Sequence, residues 1–200
     1  MKILRFLVIM CIALLLAACS NADSESKESS SDVEEKIPEL PQKVFTSNQI
    51  NKTINESDMK KSVEKYLDTY SDLEKNASNI MNKENINKKD RNKLKEIIDL
   101  MNKNESNFFN YIHKNNLPID YRKDSLEIYN YTKSAREVLN EIRDNTTKAM
   151  DEKNSNKVKL KSVDRLSKLN SKYKDKVNGK HQKEIEEFLK DKNIETHAFK

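Results

Sequence analysis

Between residues 59 and 80 the apolar side chains keep a strict spacing: Met59, Val63, Tyr66, Tyr70, Leu73, Ala77 and Ile80 step by 4, 3, 4, 3, 4 and 3. Residues so spaced share one face of an α-helix. The seam predicts a helix over about 58–83, with Ser57 or Asp58 capping its start by accepting early backbone N–H groups. A helix with one apolar stripe draws most of its stability from burying that stripe against partners. Leu94, Ile97, Met101, Phe108 and Ile112 mark a second helix, and Asn87 with Asp90 before it has the order of a capping box. Its seam is interrupted at Asn104 or Glu105, a polar position that fixes register at a cost in stability or else belongs to a site. This helix should end near Asn115-Asn116, because the residue before Pro118 disfavours the helical region. A third helix is predicted over about 120–152, with Ser125, Ile128, Thr132, Ala135, Leu139, Ile142, Thr146 and Ala149 as a small, polar seam. A fourth begins near Ser155 and carries Val163, Leu166, Leu169, Tyr173 and Val177. Gly179 should end or kink it, Ile185, Phe188 and Leu189 continue an apolar face, and residues 194–200 should fray.

Gly179 is the single glycine of the chain, where average usage of about 7% would give roughly fourteen. Tight β-hairpins want glycine at positive φ, so an all-β fold is disfavoured. Phosphate-cradling and dinucleotide-binding loops need several glycines and are excluded. The expected fold class is therefore all-α: an elongated antiparallel up-and-down bundle of about four helices with coiled-coil-like seams over residues 56–200. An open pair of helical hairpins is the alternative.

The N-terminal part reads differently. Lys2 and Arg5 precede thirteen mostly apolar residues, Phe6 to Ala18, too few for a membrane span of roughly 20. Cationic, then apolar, then small residues is the order of a secretory signal over residues 1–18. Leu16-Ala17-Ala18-Cys19 resembles the lipobox of bacterial lipoproteins. The resemblance implies cleavage between Ala18 and Cys19, a diacylglyceryl group on Cys19 Sγ, and an anchor in membrane lipid. Two acyl chains hold a protein stably where one does so only reversibly. Residues 19–55 are rich in Ser, Asn, Asp, Glu and Lys with Pro38 and Pro41, and read as a flexible acidic tether, though Val44, Phe45 and Ile50 offer apolar groups for docking on the body. The abundance of Lys, Asn and Ile suggests an AT-rich genome.

Cys11 would leave with the signal and Cys19 would carry lipid, so the mature body holds no thiol for a disulfide, a nucleophile or a metal. The net charge of +5 falls to +3 without Lys2 and Arg5. Residues 20–36 hold six acids and two bases, a net of −4, which leaves +7 on residues 37–200. A basic body at an envelope surface suits anionic lipid headgroups or wall polymers, although the same excess spread over solvated helix faces would have no partner.

No catalytic constellation is legible. His113, His181 and His197 are far apart, none lies in an HExxH or HxH pattern, and no cofactor or metal ligand set is read from the sequence. The carboxylates are interleaved with lysine as on solvated faces. Aromatic residues concentrate at Phe108, Phe109, Tyr111, Tyr121, Tyr129 and Tyr131, around the turn between the second and third helices. With Lys114, Arg122 and Lys123 beside them, Phe109, Tyr111, Tyr121 and Tyr131 form a candidate binding surface, aromatics for stacking on sugars and bases for pairing with phosphate or carboxylate. The plainer reading makes Phe108 and Tyr129 core and the others a cover over the hairpin.

The chain resembles the small helical lipoproteins of low-GC Gram-positive bacteria, among them the NDxxF-motif lipoproteins and the cell-wall-binding lipoproteins. Lipobox, acidic tether and long Lys/Glu/Asn-rich helices carry the likeness. Asn104-Glu105-Ser106-Asn107-Phe108 departs from the five-residue motif by Glu for Asp at its second position. The resemblance implies a non-catalytic, lipid-anchored extracytoplasmic protein on the cell membrane. Its partner would be an anionic cell-wall polymer or another surface protein, with no nucleic acid. Two alternatives remain open: a precursor whose signal tail, Ile12 to Ala18, yields a short apolar signalling peptide, or an enzyme or metal site near the turn between the second and third helices.

Overall fold

The computed structural model describes residues 39–83, 86–151 and 168–199. The signal, Cys19 and the tether to residue 38 lie outside the described residues, as do Ser155, Val163 and Leu166. Among the described residues four long helices carry the fold: α1 Glu56–Met81, α2 Lys88–Lys114, α3 Ile119–Asp151 and α4 Gly179–Asp191. Residues 168–173 are helical as well. Among the described residues there is no strand, and one isolated parallel bridge joins Thr53 to Asn116.

The first seam is buried along its whole length, from Met59 to Ile80. Its cap differs from the expectation. Asn55, not Ser57 or Asp58, opens α1, its Oδ1 accepting from Asp58 N at 2.8 Å while its Nδ2 donates to Asp58 Oδ2 at 3.0 Å. The capping box of α2 is present, Asn87 Oδ1 accepting from Asp90 N at 3.0 Å and Asp90 Oδ2 from Asn87 N at 3.1 Å. Contacts between helices order the bundle. Tyr121 of α3 donates to Glu56 of α1 at 3.2 Å, and Tyr66 of α1 meets Thr132 of α3 at 2.5 Å, so α1 and α3 run in the same sense. Phe109 of α2 packs at a tilt against Tyr129, and Glu105, earlier in α2, pairs with Arg136, later in α3, so α2 is antiparallel to α3. Residues 168–199 run back down α3, with Leu169 beside Ile142, His181 on Glu127 and Phe188 on Tyr121. The result is an all-α up-and-down bundle.

The Gly179 region breaks rather than bends. The helix over 168–173 gives way to a turn, and Asn178 caps a new helix by accepting from Lys180 N at 3.0 Å and His181 N at 3.1 Å. Gly179 is the first residue of α4, not the residue that closes the helix before it, and its φ is not positive. The left-handed closing residue is instead Asn193, with φ 52°. Asn193 N bonds Lys190 O at 3.1 Å and Ile194 N bonds Leu189 O at 2.8 Å, the paired bonds of a Schellman motif. That turn buries Ile194 and directs the chain back onto α1, where Asp68 Oδ1 accepts from Thr196 Oγ1 at 2.5 Å and His197 N at 2.9 Å. Residues 194–198 are thus docked, where fraying was expected.

The expected tether also ends earlier than residue 55. Phe45 is buried edge-on against Tyr66, Phe108 and Tyr111, at centroid distances of 6.4, 5.5 and 5.5 Å. Its backbone is held on both sides: Asn104 Oδ1 accepts Phe45 N at 2.8 Å, and Asn107 Nδ2 donates to Phe45 O at 2.8 Å. Asn104 Nδ2 also donates to Tyr66 O at 3.1 Å. Further along, Asn115 bonds Lys52 N and Gln49 O, both at 2.9 Å, and backbone bonds tie Asn51 to Lys114 and Ile54 to Asn116. Ile50, expected as a docking group, remains 55% exposed. Residues 39–55 form a strap along α2, and the polar gap in the second seam is where α2 holds it.

Candidate functional site

The fourth leg of the bundle is interrupted at 174–178, and among the described residues no helix is laid over the face of α3 there. Lys123, Glu127, Asn130, Ser134 and Glu137 step by 4, 3, 4 and 3 along that face. Asp175, Lys176 and His181 form the opposite wall, and the groove between them encloses about 610 Å³. Tyr131 and Lys133 lie along it. The lining mixes three lysines, three carboxylates and uncharged hydrogen-bonding groups with the apolar surface of Leu126 and the lysine stems, so it suits a ligand that carries both polar groups and apolar surface. Burial, then the carboxylates of Glu74 and Glu186, raises the Tyr131 phenol well above its ordinary range, so it stays protonated and able to donate. Above the groove, Glu141 takes hydrogen bonds from Lys172 and Tyr173, and the Lys172 bond leads in holding its carboxyl low.

The sharpest geometry is at His181. Its Nε2 lies 3.1 Å from the carbonyl oxygen of Asp175. A carbonyl only accepts, so Nε2 carries the hydrogen. Nδ1 faces Glu127 Oε1 at 3.1 Å and Glu184 Oε2 at 3.5 Å. The donor atoms of these three side chains lie within 4.8 Å of one another, which makes them the set among the described residues able to hold a metal. Glu184 stands three residues after His181, on the same face of α4, and Glu127 comes from α3.

The aromatic surface read from the sequence is rearranged. Tyr111, Tyr121 and Tyr131 are buried, and Tyr131 meets the groove only at its edge. Tyr111 belongs to the cage around Phe45, and Tyr121 packs edge-on to Phe188. The seam spacing already contained the reason: Tyr121 is one four-residue step before Ser125, and Tyr111 one three-residue step after Phe108, so both fall on inward faces. Arg122 is committed locally, its Nε donating to Leu117 O at 3.2 Å and its Nη2 to Asn116 Oδ1 at 2.6 Å. Lys114 is exposed at the end of α2. Phe109 is half-buried between His113 and Tyr129, at 3.8 and 4.7 Å, with the Lys133 ammonium 5.7 Å from the Tyr129 ring. The candidates therefore split: Lys123 and Tyr131 meet at the groove, Phe109 lies on a separate aromatic strip, and Tyr111 and Tyr121 support the core. Glu127, His181 and Glu184 escaped the sequence reading. Their one local signal is the three-residue offset between His181 and Glu184.

No protein-family model, no curated protein and no solved structure matches this chain. Among the described residues no helix is long and apolar enough to cross a membrane.

Proposed function

We propose that this chain is a lipid-anchored extracytoplasmic protein whose helical body is a non-catalytic binding module for an anionic cell-wall polymer or another surface protein, as in the small helical lipoproteins it resembles. The observation that carries the proposal is Leu16-Ala17-Ala18-Cys19, placed directly after a short apolar run and before a polar stretch. A diacylglyceryl group on Cys19 would fix the body to the outer membrane face, with residues 20–38 as the spacer. The strap supports this division of labour, since a chain anchored at its N-terminus transmits any pull through residues 39–55 into α2. The groove supports the binding role: Lys123, Lys133 and Lys176 supply cations, while Asn130 and Ser134 supply hydrogen bonds of the kind that hydroxyl-bearing polymers take up.

Co-sedimentation with purified wall tests the binding role. Wild type should be retained at low salt, and a Lys123→Glu/Lys133→Glu/Lys176→Glu variant should lose most of that retention. Equal retention of the two proteins removes the groove from the reading, and no retention of wild type at low salt removes the polymer.

A further inference from the structure

We infer that Glu127, His181 and Glu184 form a binding site for a single divalent transition-metal ion, with zinc the best match in geometry and donor chemistry. The Asp175 carbonyl takes the Nε2 hydrogen of His181 and so turns the Nδ1 lone pair toward the two carboxylates. In the neutral ring that lone pair faces two carboxylates, and only a cation or a proton on Nδ1 holds the three groups together at these distances. A dication at this point relieves the repulsion and balances both carboxylates. Metal-bound histidines very commonly give their second ring N–H to a backbone carbonyl, as His181 does.

The distances agree. Zinc binds imidazole nitrogen and carboxylate oxygen at about 2.0–2.2 Å, which puts neighbouring tetrahedral ligands about 3.3 Å apart. The separations of 3.1 Å and 3.5 Å from Nδ1 to the two carboxylate oxygens straddle that value. The two α4 ligands are held independently of the ion: Asn178 Oδ1 accepts from His181 N at 3.1 Å, and Lys180 Nζ lies 3.8 Å from the other oxygen of Glu184. Three protein ligands beside an open groove leave a fourth position for water or for a ligand oxygen, the arrangement of an open rather than a closed zinc site. The ion would also pin α4 to α3 across the break at 174–178.

His197 makes a useful contrast. Both of its ring nitrogens face carboxylates, Nδ1 Asp68 at 3.1 Å and Nε2 Asp72 at 3.0 Å, and no carbonyl fixes its lone pair. It serves as the control.

The test is equilibrium dialysis of full-length protein in detergent, stripped with chelator and then titrated with zinc chloride, together with thermal melts. Wild type should take up one equivalent and melt higher with zinc. Glu184→Gln, at an exposed position, should keep its helical circular dichroism, bind zinc at least tenfold more weakly and lose the melting shift. His197→Gln should behave as wild type. No stoichiometric uptake by wild type, or uptake lost in His197→Gln but kept in Glu184→Gln, overturns the assignment, and a proton on His181 Nδ1 then bridges the two carboxylates in place of a metal.

Discussion

Asn104→Ala tests how the strap is attached. Asn104 is 1% exposed and joins three parts of the chain, accepting from Phe45 N and donating to Tyr66 O. The Tyr66 carbonyl keeps its helical bond when Asn104 is cut back, but the Phe45 N–H is left without an acceptor in an apolar cage. An orphaned buried donor costs about 1–3 kcal/mol. Taking about 2 kcal/mol, the docked strap opens about 30-fold more often, since each 1.36 kcal/mol is tenfold. Hydrogen exchange reads this directly: the Phe45 amide should exchange about 30-fold faster, while amides in the middle of α1 keep their rates. Asn107→Ala removes the opposite bond to Phe45 O and should cost about 1 kcal/mol alone. In the Asn104→Ala background it should cost much less, because both bonds hold the same residue and the strap is already loosened. Fully additive losses, or α1 amides accelerating in step with Phe45, would refute the idea of a separately detachable strap.

Phe45→Ala empties the aromatic cage and should cost about 3–5 kcal/mol by urea denaturation; a loss below about 1 kcal/mol would mean that the cage closes without it. Asn87→Ala removes the α2 capping box and should lower stability by about 1 kcal/mol, read as a lower melting temperature. Burial raises Glu105 from an ordinary 4.5 to about 7 despite the guanidinium of Arg136, and burial raises Glu74 likewise to about 7 against Lys75. The folded chain holds these protons to higher pH than the unfolded chain, so the stabilisation is complete below about pH 4.5 and lost as pH rises through about 7. For Glu105, 3% exposed and with Oε1 lacking a hydrogen-bond partner among the described residues, the loss is at most roughly 3 kcal/mol. Urea midpoints should fall between pH 4.5 and 8, and Glu105→Gln should flatten that fall; an unchanged slope would exclude Glu105 as its source.

The helices were legible because their seams repeat. Asn87 with Asp90 read directly as a capping box, and Leu117-Pro118 placed the end of α2 within a residue. What escaped was work done by asparagine. Asn55 and Asn178 cap helices, Asn193 closes one, and Asn104, Asn107 and Asn115 hold the strap. In so asparagine-rich a chain no single asparagine stands out, and its amide both donates and accepts, so its partner depends on tertiary geometry. The Schellman turn at Asn193 was missed for a related reason, since the usual marker is glycine and the one glycine lies elsewhere. The candidate site was less legible still. Glu127 and His181 are 54 residues apart and meet only because the fourth leg breaks and runs back along α3. Of the aromatic cluster, the tyrosines that looked exposed are core residues, which the seam spacing indicated more reliably than their polarity did.

The most direct measurement is fractionation of cells expressing wild type or Cys19→Ser, with mass spectrometry of the N-terminal peptide. Wild type should yield a mature chain beginning at Cys19, bearing a diacylglyceryl group and residing in the membrane fraction, with both modification and retention lost in Cys19→Ser. Wild-type protein recovered unmodified and free of the membrane would contradict the lipid anchor.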